Sequence, residues 1–162
     1  MVNEVKDSIV KLVGHIPLRL YFPPPTSKKN FDEQLANGTK WQTRRFYNLR
    51  THNQFKKCFN EKKQIILGGQ SWSTGRFLGT LLLVKYDRIC NMTIDDIRAE
   101  GDKTSKTPLE FYINNFKLPK CDACNKRGEN LCELWIRHNI TMWITVIHFK
   151  ITSAIKPPPS KR

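Results

Sequence analysis

"RFLGTLLLVKYDRI", residues Arg76 to Ile89, is the longest strand-like run in the chain, apolar through its middle and charged at both ends. A second run, "TMWITVIHFKIT" (Thr141–Thr152), is rich in β-branched and aromatic residues. Residues of this kind fit a pleated, half-buried surface, so both runs are predicted strands of one sheet. The segments between them have another period. "TIDDIRAEG" (Thr93–Gly101) reads as a short capped helix that stops at glycine. "TPLEFYINNF" (Thr107–Phe116) reads as a helix with Thr107 as its N-cap and Pro108 in its first position. Strands and helices mix without a regular βαβ alternation. The fold class is therefore a compact α+β domain around a small sheet, curled into an open barrel.

The rest of the chain fits that frame. Val5, Ile9, Leu12 and Val13 have helical spacing, which makes residues 1–15 an N-terminal extension of helical type. "IPLRLYF" (Ile16–Phe22) alternates as a strand does, and Pro23, Pro24 and Pro25 stop it. "TSKKNFDEQLANG" (Thr26–Gly38) reads as a helix, with Asn37-Gly38 as its exit. "KKQIIL" supplies a short apolar strand before a Gly-Gly turn. "KPPPSKR" closes the chain as a loose basic tail, counted from residue 153.

At 162 residues the chain is long enough for one domain with a real core. No apolar run approaches the ~20 residues a membrane helix needs, and Ile9–Phe22 is broken by Lys11, His15, Pro17 and Arg19, unlike a signal peptide. The expectation is an intracellular protein, cytoplasmic or nuclear, that is neither secreted nor membrane-bound. Charge is the loudest compositional signal. Lys and Arg number 28 against 14 Asp and Glu, a formal net charge of +14. That balance predicts affinity for polyanions, of which nucleic acid is the commonest. Between Lys40 and Lys63 there are eight basic residues and one acid, Glu61, interleaved with Trp41, Phe46, Tyr47, Phe55 and Phe59. Most of those aromatics are expected in the core, with the lysines as a solvated rim.

"NGTKWQTRRF" (Asn37–Phe46) stands where a helix ends and a strand begins. Its Gly38, Lys40, Thr43 and Arg45 resemble the G-x-K-x-x-T/E-x-R signature of ASCH domains, the activating-signal-cointegrator homology group, which is similar to the PUA domains of RNA-modifying proteins. Glu100-Gly101 and the last strand sit at fitting distances, so the resemblance spans residues 16–152. It implies a PUA-like open β-barrel of five to six strands flanked by short helices, with the motif lining a cleft suited to RNA. Two features depart from the pattern: Trp41 stands where many members carry a small threonine, and residues 119–138 are a cysteine-rich insertion.

The motif suggests two kinds of chemistry. Lys40, Arg44, Arg45 and Arg50 can donate to phosphates, Arg as a bidentate fork and Lys as a point charge, with Thr43 beside them and Trp41 as a stacking or gating residue. On an extended strand Arg44 and Arg45 point to opposite faces, so Arg45, the motif match, is expected in the cleft and Arg44 outside. This is the binding reading, with RNA, single-stranded or modified, as partner and DNA as a competing ligand. The second reading is enzymatic. One bacterial branch of the group hydrolyses N4-acetylcytidine through a Lys, Thr and Glu constellation, matched here by Lys40, Thr43 and Glu100, and ribonuclease activity occurs in other members. A threonine hydroxyl needs a neighbouring base before it can attack. The plainer alternative is a Lys40–Glu100 salt bridge with Thr43 bonded to backbone.

Cys121, Cys124, Cys132 and His138 have spacing suited to one tetrahedral structural zinc. An odd count of five cysteines with no secretion signal argues against a disulfide framework. Cys58 and Cys90 are expected to be ordinary buried residues.

Overall fold

The computed structural model describes residues 2–15, 17–22, 31–68, 77–116, 126 and 132–155. In chain order its elements are α1 (Val2–Val13), β1 (Arg19–Leu20), α2 (Phe31–Ala36), β2 (Gln42–Arg45), α3 (Leu49–Asn60), β3 (Gln64–Leu67) and β4 (Phe77–Arg88). After a 3-10 turn (Ile89–Asn91) come α4 (Ile94–Ala99), α5 (Pro108–Asn115), α6 (Glu133–Thr141) and β5 (Trp143–Ala154).

The five strands form one mixed sheet in the order β1-β3-β4-β5-β2. β1 runs parallel to β3, and the other pairs are antiparallel. The two long strands expected from sequence are its centre, paired from Phe77↔Ala154 to Arg88↔Trp143. Register shifts at Leu78/Gly79 and Leu81/Leu83 bend this ladder. The sheet is not closed into a barrel, yet it has the α+β character and strand number expected.

β5 is buried on both faces, which accounts for its nearly continuous apolar run. Ile147 and Phe149 join Leu20, Phe22, Leu35, Phe55, Ile65 and Val84 in one core. Ile144 and Val146 face a second core with Ile89, Ile97, Phe111, Tyr112 and Ile136. Burying one such side chain contributes about 1.5–3 kcal/mol, so β5 anchors both halves. Ile9 of α1 covers the sheet's end against Ile66 and Leu78.

Local signals held at several ends. Thr93 caps α4 in a reciprocal capping box with Asp96, and Thr107 caps α5 with Pro108 in its first turn. Gly38 leaves α2 with φ +77, a conformation glycine adopts without steric cost.

Two expectations need correction, the strand at residues 16–22 and the burial of Cys90, and two helices stand where no element was expected. The strand at residues 16–22 shrinks to Arg19–Leu20, because only those residues pair with β3. The basic, aromatic stretch after the motif is the helix α3, whose buried His52, Phe55 and Cys58 recur every third position beneath an otherwise polar surface. At the end of the cysteine-rich insertion, Glu133–Thr141 is helical and runs past residue 138, anchored by buried Ile136. Cys90 is exposed in the 3-10 turn, while Cys58 is buried as expected. The tail beyond residue 155 lies outside the described residues.

Candidate nucleic-acid interface

The backbone of the motif is tied to three elements at once. Lys40 N donates to Gln34 O at the end of α2, 3.1 Å, and Trp41 N donates to Ala99 O at the end of α4, 3.1 Å. Phe149 N of β5 donates to Trp41 O, 2.9 Å. The buried Gln34 side chain adds a further tie, its Nε2 donating to Gly101 O at 3.0 Å. These bonds bring Glu100, sixty positions away in sequence, against the motif.

A cleft of about 390 Å³ opens there. One wall is polar: Lys40, Thr43, Arg44, Arg45 and Glu100. The other is aromatic: Phe22, Phe31, Phe46, Phe111 and Phe116, with Asn115 beside them. The volume falls in the range of small-ligand sites, about 300–1,000 Å³.

Each polar group has definite partners. Arg44 Nη1 donates to Glu100 Oε1 at 2.8 Å, in a pair almost wholly removed from water. Lys40 Nζ donates to the Glu100 carbonyl oxygen and to Gln42 O, and lies 4.0 Å from Glu100 Oε2. The same ammonium sits over the rings of Phe31 and Phe22, at 4.8 and 5.2 Å from their centroids. Arg45 Nε donates to Thr43 Oγ1 at 3.2 Å, and Arg45 Nη2 to Tyr21 O at 2.5 Å. The Gln42 amide fits with its oxygen toward Arg44 Nη2, 3.1 Å, and its nitrogen toward His148 Nε2, 3.2 Å. That requires His148 to be an acceptor. Burial, with Lys85 and Arg44 nearby, holds its pKa below the usual imidazole value against the opposing pull of Asp96.

Five of the seven residues nominated for binding or catalysis therefore meet in one place: Lys40, Thr43, Arg44, Arg45 and Glu100. Arg44 was expected outside; it lines the cleft because its long side chain reaches Glu100. The carboxylate pairs closely with Arg44, and Lys40 makes its shorter bond to the Glu100 backbone, so the simple Lys40–Glu100 bridge is only part of the arrangement. Trp41 does not line the cleft. The half-exposed Trp41 indole packs edge-on against His148 instead, with centroids 5.0 Å apart. Arg50 is exposed on the first turn of α3 and is likewise no part of the lining. Of the proposed zinc ligands, Cys121 and Cys124 lie outside the described residues, Cys132 is buried beside the start of α6, and His138 is exposed on that helix.

Sequence reasoning missed the aromatic wall and its support. Phe46, expected in the core, lies at the cleft edge-on to Phe116, with centroids 5.4 Å apart. Asn115 is held by Asp102, whose Oδ2 accepts from Asn115 Nδ2 at 2.7 Å. Burial pushes the Asp102 carboxyl up, but hydrogen bonds from Ser105, Thr104 and Asn115 outweigh that and hold its pKa below the usual range. The one sequence signal for this turn was the Asp102 to Ser105 spacing after Gly101, which suits a side chain bonding its own backbone.

No family model and no curated protein matches the chain. Two solved structures resemble it. Protein EF3133 from Enterococcus faecalis V583, of the family DUF984, aligns with a TM-score of 0.53 at 14% identity, covering 94% of this chain and 88% of that one. The ASCH domain from Lactobacillus crispatus JV V101 aligns with a TM-score of 0.48 at 13% identity, covering 92% of this chain and 89% of that one. DUF984 is an ASCH-like family. At such identity the likeness to EF3133 shows the fold alone: the chain has an ASCH-like fold.

Proposed function

We propose that the protein binds RNA, holding one unstacked base and its phosphate in the cleft between β2 and the phenylalanine wall. The observation that carries this reading is the convergence of Lys40, Arg44 and Arg45 with five phenylalanines on one cavity. Cations are suited to phosphate and aromatic faces to bases, and stacking of a base contributes about 1–3 kcal/mol. The net charge of +14 adds a long-range attraction for the strand. Trp41, outside the cleft and half-exposed, is available to stack a neighbouring base.

Affinity for a labelled single-stranded RNA, compared among wild type, Arg45→Gln and Lys62→Ala, tests this. Arg45→Gln should weaken binding about tenfold or more, as expected for a lost charge-assisted bond. Lys62→Ala, at an exposed lysine, should weaken it far less. Equal losses would sink the cleft as the binding site.

A second reading is favoured by one observation: Lys40, Thr43 and Glu100 line the same cleft. Under it the protein hydrolyses an N4-acetylcytidine-type nucleoside, with the Thr43 hydroxyl as nucleophile. Thr43 Oγ1 accepts from Arg45 and the Glu100 carboxylate is engaged by Arg44, and among the described residues no base accepts a hydrogen bond from the Thr43 hydroxyl. Acetate release that disappears in Thr43→Ala would establish this reading in place of simple binding. Structural zinc on Cys121, Cys124, Cys132 and His138 is a separate proposal. Metal analysis of the purified protein should find one zinc per chain, lost in Cys124→Ser.

A further inference from the structure

We propose that the cleft selects a nucleotide bearing a terminal phosphate monoester, rather than an internal nucleotide of a strand; this rests on the nucleic-acid reading above. The first ground is charge. The described lining residues bring Lys40, Arg44 and Arg45 against one carboxylate, Glu100, a formal excess of two positive charges. Arg45 is bonded only to neutral oxygens, Tyr21 O and Thr43 Oγ1, so its charge meets no anion among the described residues.

The second ground is an orphan donor. Arg44 is 4% exposed and its Nε has no hydrogen-bond partner. Buried donors without acceptors are rare and costly, and this one belongs to a side chain that lines the cleft. The Nε itself is buried, so the orphan marks a guanidinium whose hydrogen bonds are incomplete beside the cleft.

These features discriminate between phosphates. A phosphodiester in a strand carries a single negative charge, whereas a monoester carries about −1.5 to −2 near neutrality and presents three terminal oxygens. An excess of two positive charges matches the monoester. The enclosed size agrees: about 390 Å³ suits one nucleotide unit, with its base against Phe46 and Phe116 and its phosphate toward Arg44 and Arg45.

The test uses the full chain and one short oligouridylate in three forms: 5′-phosphorylated, 3′-phosphorylated, and hydroxyl-ended at both termini. Uridine 5′-monophosphate and uridine form a second pair. A phosphorylated end should bind about tenfold tighter than the hydroxyl form. That ratio should rise between pH 5 and pH 7, following the second phosphate ionisation near 6. Arg45→Gln should abolish the ratio, Arg45→Lys should keep part of it, and Lys62→Ala should leave it unchanged. Monophosphate binding as tight as the phosphorylated oligomer would identify a free nucleotide as ligand, and weaker binding a strand end; both support the proposal. Equal affinity for all three oligomers, still lost in Arg45→Gln, would overturn it and leave RNA binding in the cleft standing. RNA binding indifferent to Arg45 would overturn both. Should Arg45→Gln fail to fold, the wild-type ratio and its pH dependence decide alone.

Discussion

At Gly101 a single missing side chain shapes the site. The residue has φ +94, and a Cβ there would collide with Gln34 Oε1 and approach Lys40 Cδ at 3.4 Å. Gln34 in turn donates to Gly101 O and carries the backbone carbonyl that receives Lys40 N. Gly101→Ala should therefore destabilise the fold by roughly 1–3 kcal/mol and weaken RNA binding, although residue 101 itself offers no polar side chain. Thermal unfolding and a binding titration on the same sample check this; unchanged melting would mean that the turn relaxes freely. Glu100 is a harsher case. Glu100→Ala leaves the buried Arg44 guanidinium without its carboxylate, and breaking a buried pair from one side costs roughly 3–5 kcal/mol. Denaturant unfolding of Glu100→Ala, Arg44→Ala and the double variant should reveal strong coupling. Additive losses would show that the 2.8 Å pair adds nothing beyond its separate parts.

Among the elements, the turn from α4 to α5 does most to finish the cleft. Asp102 Oδ1 accepts from Thr104 N and Ser105 N at 3.0 and 2.9 Å, while Oδ2 holds Asn115. Asp102→Ala would strand these donors and should cost roughly 1–3 kcal/mol, with looser RNA binding through Asn115; a melting curve and a titration report the two effects separately. How much of this was legible follows from how local each signal is. The caps at Thr93 and Thr107, the two central strands and the exit at Gly38 are properties of neighbouring residues, and they were read correctly. α3 was not read, since its apolar stripe is only His52, Phe55 and Cys58 among charges, and a histidine does not announce burial. The polar wall of the cleft could be named from the motif. The aromatic wall could not, because Phe22, Phe46 and Phe116 come from different segments that only the tertiary fold brings together. Trp41 was misplaced for a related reason: its ring packs against His148 of β5, a contact that only the pairing of β2 with β5 creates.

For the whole molecule, charge and titration give two further expectations. His52 is buried, with Nδ1 2.8 Å from Thr145 Oγ1 and its ring stacked on Tyr86. Burial, aided by Lys56, lowers its pKa, and His148 is lowered as well. A histidine whose folded pKa lies below its unfolded value, about 6.5, takes up protons more readily when unfolded. Its contribution is intact above about pH 6.5 and is lost as pH falls from there through the folded pKa. The melting temperature should thus drop from pH 7.5 to pH 5, and His52→Gln should flatten part of that slope; a slope unaltered in both His52→Gln and His148→Gln would refute this origin. Asp102, whose pKa is lowered, acts in the same direction at lower pH, its stabilisation being lost as pH falls from about 3.9 through its folded pKa. RNA affinity should also fall linearly in a log–log salt plot, with a slope of about 0.7 per phosphate contact on a single strand. The central claim is that binding is confined to the cleft and not spread over the basic surface. Its most direct test is to map backbone amide shifts on adding a short single-stranded RNA. Perturbations should appear at residues 40–46, 100–101 and 111–116; perturbations gathered instead on the exposed face of α3 and just after it, around Arg50, Lys57 and Lys62, would contradict that claim.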